Sequence, residues 1–481
     1  MRKSTLKINL IYQMIYQFLN MILPLIISPY LARIIGAEGM GVYSYSYSVA
    51  YFFVIFSNLG INNLGNREIA KVRDDKEKTN QVFSNLITIH LIVSCFLASL
   101  YVIYVVFLAI DKKIALIQVL YVLSGLFDIS WFHFGIENFK IIAIANSIMK
   151  IGVAILIFSL VNAPVDVWKY CLIMAGGFFA CQTVLWIPLH GYVKFVKPEK
   201  KVMRSFVKPL CVLFIPVIAV SLYRYMDKIM VGMIRGKIEL GWYENAEKII
   251  DVPMGIIAAF GTVMMPRMSN LAVANRKDDF KRYIEISMKY IMFIGFALAF
   301  GLAGVGRVFA PVFWGNDFVK SGNLILCLSA TIPFLTFANI LRTQYLIPND
   351  YDREYVISIV SGALVNVVVN IVLIPKYGSL GASMATIGAE ATVCLLQTYA
   401  VRKELPLEKY VKSFLPFLLS GIVMFIVVFL LGENRGASIH TLFAQIMLGG
   451  SIYITLSSVY LWHSKDEVFG RLINKDVEKK G

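Results

Sequence analysis

Charge is what this sequence has least of. Asp, Glu, Lys and Arg make up 16% of the 481 residues against 58% hydrophobic, and mean hydropathy is +0.70. A soluble fold cannot hide so much apolar side chain without large exposed patches, so lipid is the solvent for most of the chain. Paired cysteines are missing too. The six cysteines (Cys95, Cys171, Cys181, Cys211, Cys327, Cys394) stand singly in apolar stretches with no CxxC spacing. That excludes a disulfide framework and a thiolate metal site, and predicts six small buried hydrophobes. The five histidines are isolated, and no HExxH, GxSxG or phosphate-loop pattern occurs, so neither a metal, a cofactor nor an enzyme activity is expected.

What the sequence does have is charge-free runs long enough for a hydrocarbon core of about 30 Å, recurring from end to end. We read fourteen spans, at 8–32, 41–65, 82–110, 114–136, 141–163, 170–193, 209–233, 249–266, 290–306, 321–346, 356–375, 377–401, 413–432 and 436–462. Backbone polar groups must be satisfied internally in lipid, so the spans are helices and the fold class is an all-α integral membrane protein. The first run is longer than a signal-peptide core and lacks a small-residue cleavage site, so it reads as a retained span.

Orientation follows from the basic residues. With the N-terminus inside, inner segments hold 30 Lys+Arg and outer loops 10, the other six lying in or at the edges of spans. This bias places both termini in the cytoplasm and accounts for the net charge of +16 without a nucleic-acid partner.

The chain is expected to divide into spans 1–6 (residues 1–193), a cytoplasmic linker (194–208), spans 7–12 (209–401) and a final pair with its cytoplasmic tail (402–481). A repeat is faintly visible at an offset of 200 residues. Ile34, Gly36, Gly41, Tyr43 and Arg67 recur as Ile234, Gly236, Gly241, Tyr243 and Arg267. Both halves would begin inside, as a parallel repeat with its pseudo-twofold axis along the membrane normal.

An ionisable group inside a span costs about 2.5–3.5 kcal/mol by insertion scales, so each one needs a reason. Lys150 follows Lys140 by ten residues, about 15 Å along a helix and close to mid-depth. It reads as a substrate-facing cation or one member of an ion pair. Arg224, Asp227 and Lys228 share one helix face, with a local ion pair expected at Asp227. Glu244, Glu247, Lys248 and Asp251 form a second stripe, read as a hydrated outer helix end. Glu390 and Asp128 lie deep in their spans as candidates for a coupling proton or for structural pairs, whereas Arg342 is placed to snorkel. Tyr43, Tyr45, Tyr47 and Tyr51 could stack on sugars, although packing or interfacial anchoring accounts for them equally.

Four stretches carry a resemblance to a family: LARIIGAEGMGVYSYSYSVAYFFVIFSNLGINNLGNREIAK (Leu31 to Lys71), WFHFGIENFKIIAIANSIMKI (Trp131 to Ile151), DKIMVG with GWYENAEKIIDVP and MMPRMS (Asp227 to Ser269), and LVNVVVNIVLIPKYGSLGASMATIGAE (Leu364 to Glu390). In this order and spacing they resemble the Wzx-type polysaccharide repeat-unit flippases of the multidrug/oligosaccharidyl-lipid/polysaccharide exporter superfamily. The resemblance implies two six-helix lobes plus a final helix pair in a bacterial cytoplasmic membrane. It also implies an undecaprenyl-pyrophosphate-linked oligosaccharide as substrate, for capsule, exopolysaccharide or O-antigen-like synthesis.

The partners implied are the bilayer, that lipid-linked saccharide, and the polymerase and glycosyltransferases of the same pathway. Lys150, Arg224, Asp227, Lys228 and Lys248 are then the expected substrate-binding residues, with Glu390 and Asp128 the coupling candidates. The peptidoglycan-precursor branch carries arginines in its first helix, and here none stands between Lys7 and Arg33. The drug-exporting branch holds an acid in its first lobe, and here the first three spans contain no Asp or Glu. A cation-coupled drug or small-solute antiporter and an integral-membrane polysaccharide polymerase are the alternatives. Against the polymerase, the outer connections, Arg307 to Lys320 among the longest, are too short to hold a glycosyl-transfer site.

Overall fold

The computed structural model describes residues 3–274, 276–466 and 469–470; the rest of the expected cytoplasmic tail, 471–481, lies outside the described residues. Among the described residues, twelve helical stretches are long and apolar enough to cross a membrane. A helix pair bent by 43°, Asn316–Leu328 with Thr331–Asn349, makes a thirteenth when counted as one span. The first stretch belongs to a helix, Lys3–Asn58, that is interrupted at Gly36 (φ 65°, ψ −176°). Residues 3–35 alone would reach about 50 Å. The interruption separates residues 3–35 from 37–58 within one stretch, so the count of twelve to thirteen is close to the fourteen spans expected.

The described residues form two compact units, 1–244 and 245–481. In the first, Lys3–Asn58 packs on Phe139–Leu160, and Val119–Leu126 packs on Val167–Val184. In the second, Asp352–Tyr377 and Ser379–Val401 lie side by side, and Lys277–Trp314 packs on Leu407–Arg435, which in turn packs on Ile439–His463.

Several expected boundaries move, each for a local reason. The second span ends at Asn58 rather than at residue 65, because Leu59 and Gly60 both take positive φ and turn the chain. Ile61–Val72 follows as a separate amphipathic helix whose buried Ile61, Leu64, Gly65 and Ile69 share one face. The expected outer loop between spans 7 and 8 shrinks to a turn at Gly236 (φ 93°), and the next helix begins at Lys237.

The fourth span is broken into Lys112–Ile117, Val119–Leu126 and Ser130–Gly135. Side chains take up what the break releases. His90 Nε2 donates to the Gly125 carbonyl (2.9 Å) and Trp186 Nε1 to the Phe127 carbonyl (2.8 Å). Asp128 accepts from the Ser130 amide (2.9 Å) and hydroxyl (2.6 Å). Burial of the cysteines also needs correcting: Cys95 and Cys211 are exposed and Cys327 is half-buried, since an apolar thiol is tolerated on a helix face turned to lipid.

The expected linker is helical from Lys200 onward, and the extended piece before it is fastened down. Its amides at Lys194, Val196 and Glu199 donate to Asn80 Oδ1 (2.8 Å), Ser84 Oγ (3.0 Å) and Asn85 Oδ1 (2.7 Å), one face of the helix Lys76–Phe107. Asn85 is fully buried. Asn85→Ala leaves the Glu199 amide without its acceptor, a loss of about 1–3 kcal/mol. Tryptic cleavage at Lys194 is therefore expected to accelerate in this variant; cleavage at the wild-type rate would show that the tether does not hold the segment.

Candidate functional site

In the first unit, the seventh-span charges expected to face substrate meet a wall of tyrosines. Tyr43, Tyr47 and Tyr51 recur every four residues along one helix face, so their rings form a row. Tyr43 and Tyr47 stack at 5.6 Å between centroids, Tyr47 lies 4.8 Å from Tyr121, and Tyr51 stacks on Tyr225 at 3.9 Å. The Lys228 ammonium sits 5.3 Å from the Tyr225 ring centroid. These rings pack on one another within the unit, as the packing reading expects.

Lys228 is paired with Glu244 at 2.7 Å, both side chains nearly buried, and the same Glu244 oxygen accepts from Ser44 Oγ at 2.8 Å. Glu244 is thus no hydrated helix end. The turn at Gly236 brings its helix back against the helix carrying Lys228, and the carboxylate is spent on a buried cation. Asp227 accepts from the Tyr243 hydroxyl at 3.0 Å. Arg224, on the same helix, is exposed.

The offset-200 positions touch. A Cβ on Gly41 would overlap the Lys237 carbonyl, and a Cβ on Gly241 would overlap the carbonyl of Ala37, which stands 200 residues before Lys237. Ser44 and Glu244 are also equivalent positions. The Lys237 ammonium caps the Tyr45 ring, 2.9 Å from its centroid. The repeat is therefore a physical contact in which two helix starts cross backbone against backbone, possible only with glycine at both crossings.

Lys150 does not join that cluster through any described bond. It is half-buried on Phe139–Leu160 beside Cys181 and forms no ion pair with a described residue. Asp128, at the break in the fourth span, has His90 and Cys181 as electrostatic neighbours.

In the second unit, Lys248 is half-buried on Lys237–Val273. Glu390 is buried, and its charged neighbour is Arg342. That guanidinium does not snorkel freely, for it donates to Asn339 Oδ1 at 2.7 Å, and Asn339 Nδ2 donates to the Ile257 carbonyl at 3.1 Å. Arg342–Leu346 is wound as a π-helix, an irregularity frequent at functional positions. Sequence reasoning missed Glu244 as the partner of Lys228 and Ser44 as the partner of Glu244. The offset-200 repeat was the signal that could have found them.

Comparison with known proteins agrees with this architecture. Residues 6–272 match the family model described as polysaccharide biosynthesis protein. A protein of Escherichia coli (strain K12) described as an O-antigen transporter is 24% identical over 410 residues, 83% of this chain and 97% of that one. A protein of Haloferax volcanii described as a low-salt glycan biosynthesis flippase is 22% identical over 252 residues, half of each chain. A lipid II flippase solved in an inward closed conformation superposes with a TM-score of 0.75 at 16% identity, over 94% of this chain and 99% of that one. The model match spans more than half of the chain, and on that ground the chain belongs to the polysaccharide biosynthesis protein family.

Proposed function

We propose that the protein is a flippase that moves a polyprenyl-pyrophosphate-linked oligosaccharide across the bacterial cytoplasmic membrane by alternating access, with both termini cytoplasmic. The observation that carries this reading is the family membership, joined to similarity along nearly the whole length of a relative described as an O-antigen transporter. The physical need is clear. Without a polar path the charged head would cross hydrocarbon bare, where each unpaired polar group costs several kcal/mol. The absence of Asp and Glu from the first three spans speaks against a drug antiporter, and short outer connections speak against a polymerase. Carrying a saccharide needs no catalytic group, and its donors and receivers would be the glycosyltransferases and polymerase of the pathway.

Lys150 and Arg224 take the pyrophosphate in this reading, each a cation inside a span, where charge is costly. A guanidinium grips phosphate oxygens bidentately and an ammonium offers a point charge. Glu390, with Arg342 beside it, carries the coupling proton.

In a strain lacking the protein, lipid-linked units should be made normally and remain on the inner leaflet. Complementation with Lys150→Arg should restore partial export and with Arg224→Lys less; Gln at either should cut export about tenfold, one charge-assisted hydrogen bond, at unchanged abundance. Glu390→Gln should abolish gradient-dependent export. Normal export from both single Gln variants would end the anion-site assignment. Rescue of Arg224→Gln by Asp227→Asn would reassign Arg224 to a structural pair.

A further inference from the structure

The second unit holds a cavity of about 470 Å³ that none of the candidate site residues above lines. Its walls come from Lys277–Trp314, Val319–Leu328, Leu407–Arg435 and Ile439–His463. That volume is within the usual range for small-molecule sites, about 300–1,000 Å³. Arg307 dominates one side. Its Nε donates to Asn323 Oδ1 (2.7 Å), its Nη1 donates to Glu433 Oε1 (3.0 Å), and its guanidinium lies over the Phe429 ring at 5.0 Å.

At the back stands Gln445, 1% exposed. Its Nε2 donates to the Val428 carbonyl (2.8 Å) and more weakly to the Gly304 carbonyl (3.4 Å). Its Oε1 is buried and has no partner among the described residues. A buried amide oxygen left so is costly unless a ligand supplies the donor. Gly432 keeps the approach open, since a Cβ there would press on the Gln445 amide and on Val308.

The chemistry of the walls discriminates between ligand classes. Arg307 and Glu433 cancel, so the site carries no net charge. A phosphate would meet the Glu433 carboxylate and an ammonium would meet Arg307. A lipid tail would leave the Gln445 oxygen without a donor. What the walls offer is donors (Arg307, Asn323) next to acceptors (Glu433, Gln445), beside an aromatic ring. Vicinal hydroxyls, each able to donate and accept, satisfy such an array.

We infer that this cavity is a binding site for a neutral sugar residue. It is separate from the cations assigned to the pyrophosphate, and it lies at the end of the unit that the charge bias places outside the cell. It therefore receives a sugar of the translocated unit before release. The inference rests on the saccharide-carrier reading above.

The test uses the purified full-length protein in detergent and saturation-transfer NMR. The probes are the neutral monosaccharides released by acid hydrolysis of the host's own surface polysaccharide, with inorganic phosphate as competitor. At least one sugar should receive saturation. Binding should weaken about tenfold in Asn323→Ala and in Glu433→Ala, the loss of one or two hydrogen bonds. Both positions are exposed, so folding should survive, and Glu433→Gln, which keeps an acceptor, should recover part of the signal. Saturation of no sugar, equal signal in the alanine variants, or displacement by phosphate would each overturn the site. Export measured in the deletion strain separates the two levels. Export that needs the protein while no sugar binds the cavity removes this site alone. Export without the protein defeats the carrier reading and takes the cavity's substrate with it.

Discussion

Gly41→Ala is expected to abolish export and to remove most of the folded protein. Two effects compete at this position. Alanine is favoured over glycine inside a helix by about 1 kcal/mol. Against that, the new methyl would sit on the Lys237 carbonyl, and the nearest atoms are backbone, which cannot swing aside as a side-chain tip can. Overpacking of this kind costs about 1–3 kcal/mol even where side chains can adjust, so the clash wins.

Gly241→Ala, which meets the Ala37 carbonyl, should behave in the same way. Gly152→Ala is the matched control. It lies in the helix Phe139–Leu160 with nothing within 4 Å of an added Cβ, so it should be neutral or slightly stabilising. Thermal unfolding in detergent, read beside export, checks all three. A wild-type unfolding temperature for Gly41→Ala would show that the crossing is looser than described.

Glu244→Gln should be nearly as damaging for a different reason. It leaves the largely buried Lys228 ammonium without the carboxylate 2.7 Å away, and breaking a buried pair from one side costs about 3–5 kcal/mol. The Ser44 hydroxyl can still donate to the glutamine oxygen, so the loss is one of charge more than of shape. Adding Lys228→Met should restore abundance, because removing both charges also removes their desolvation cost. Stable accumulation of Glu244→Gln alone would show that other groups satisfy Lys228. Export by the double variant then decides the rest: full export makes the pair structural, and a folded double variant that does not export returns Lys228 to the substrate path.

The helices were legible in the sequence because charge-free runs of the right length have one physical explanation. Their ends were less so. Asn58, Gly236 and Lys200 are set by single backbone conformations or by hydrogen bonds from another helix, and neither alters hydropathy. The break at residues 127–129 escaped notice for a related reason. Its consequences are met by His90 and Trp186, which are distant in sequence. Among the site residues, Asp128, Lys228 and Glu390 announced themselves as charges where charge is expensive. Glu244 did not, since it belonged to a stripe resembling a hydrated helix end and its partner lies 16 residues away, beyond the reach of one helix face.

The crossing of Gly41 with Gly241 has a hereditary consequence. In a gene that arose by doubling, the two copies are free to diverge wherever each faces its own surroundings. Where a residue of one copy presses on its counterpart's backbone, a bulkier replacement cannot be answered by trimming the other side, because nothing remains there to trim. The two glycines thus behave as one trait that descends or is lost as a unit. Such a point of self-contact would hold its two letters while the flanking helices drift apart.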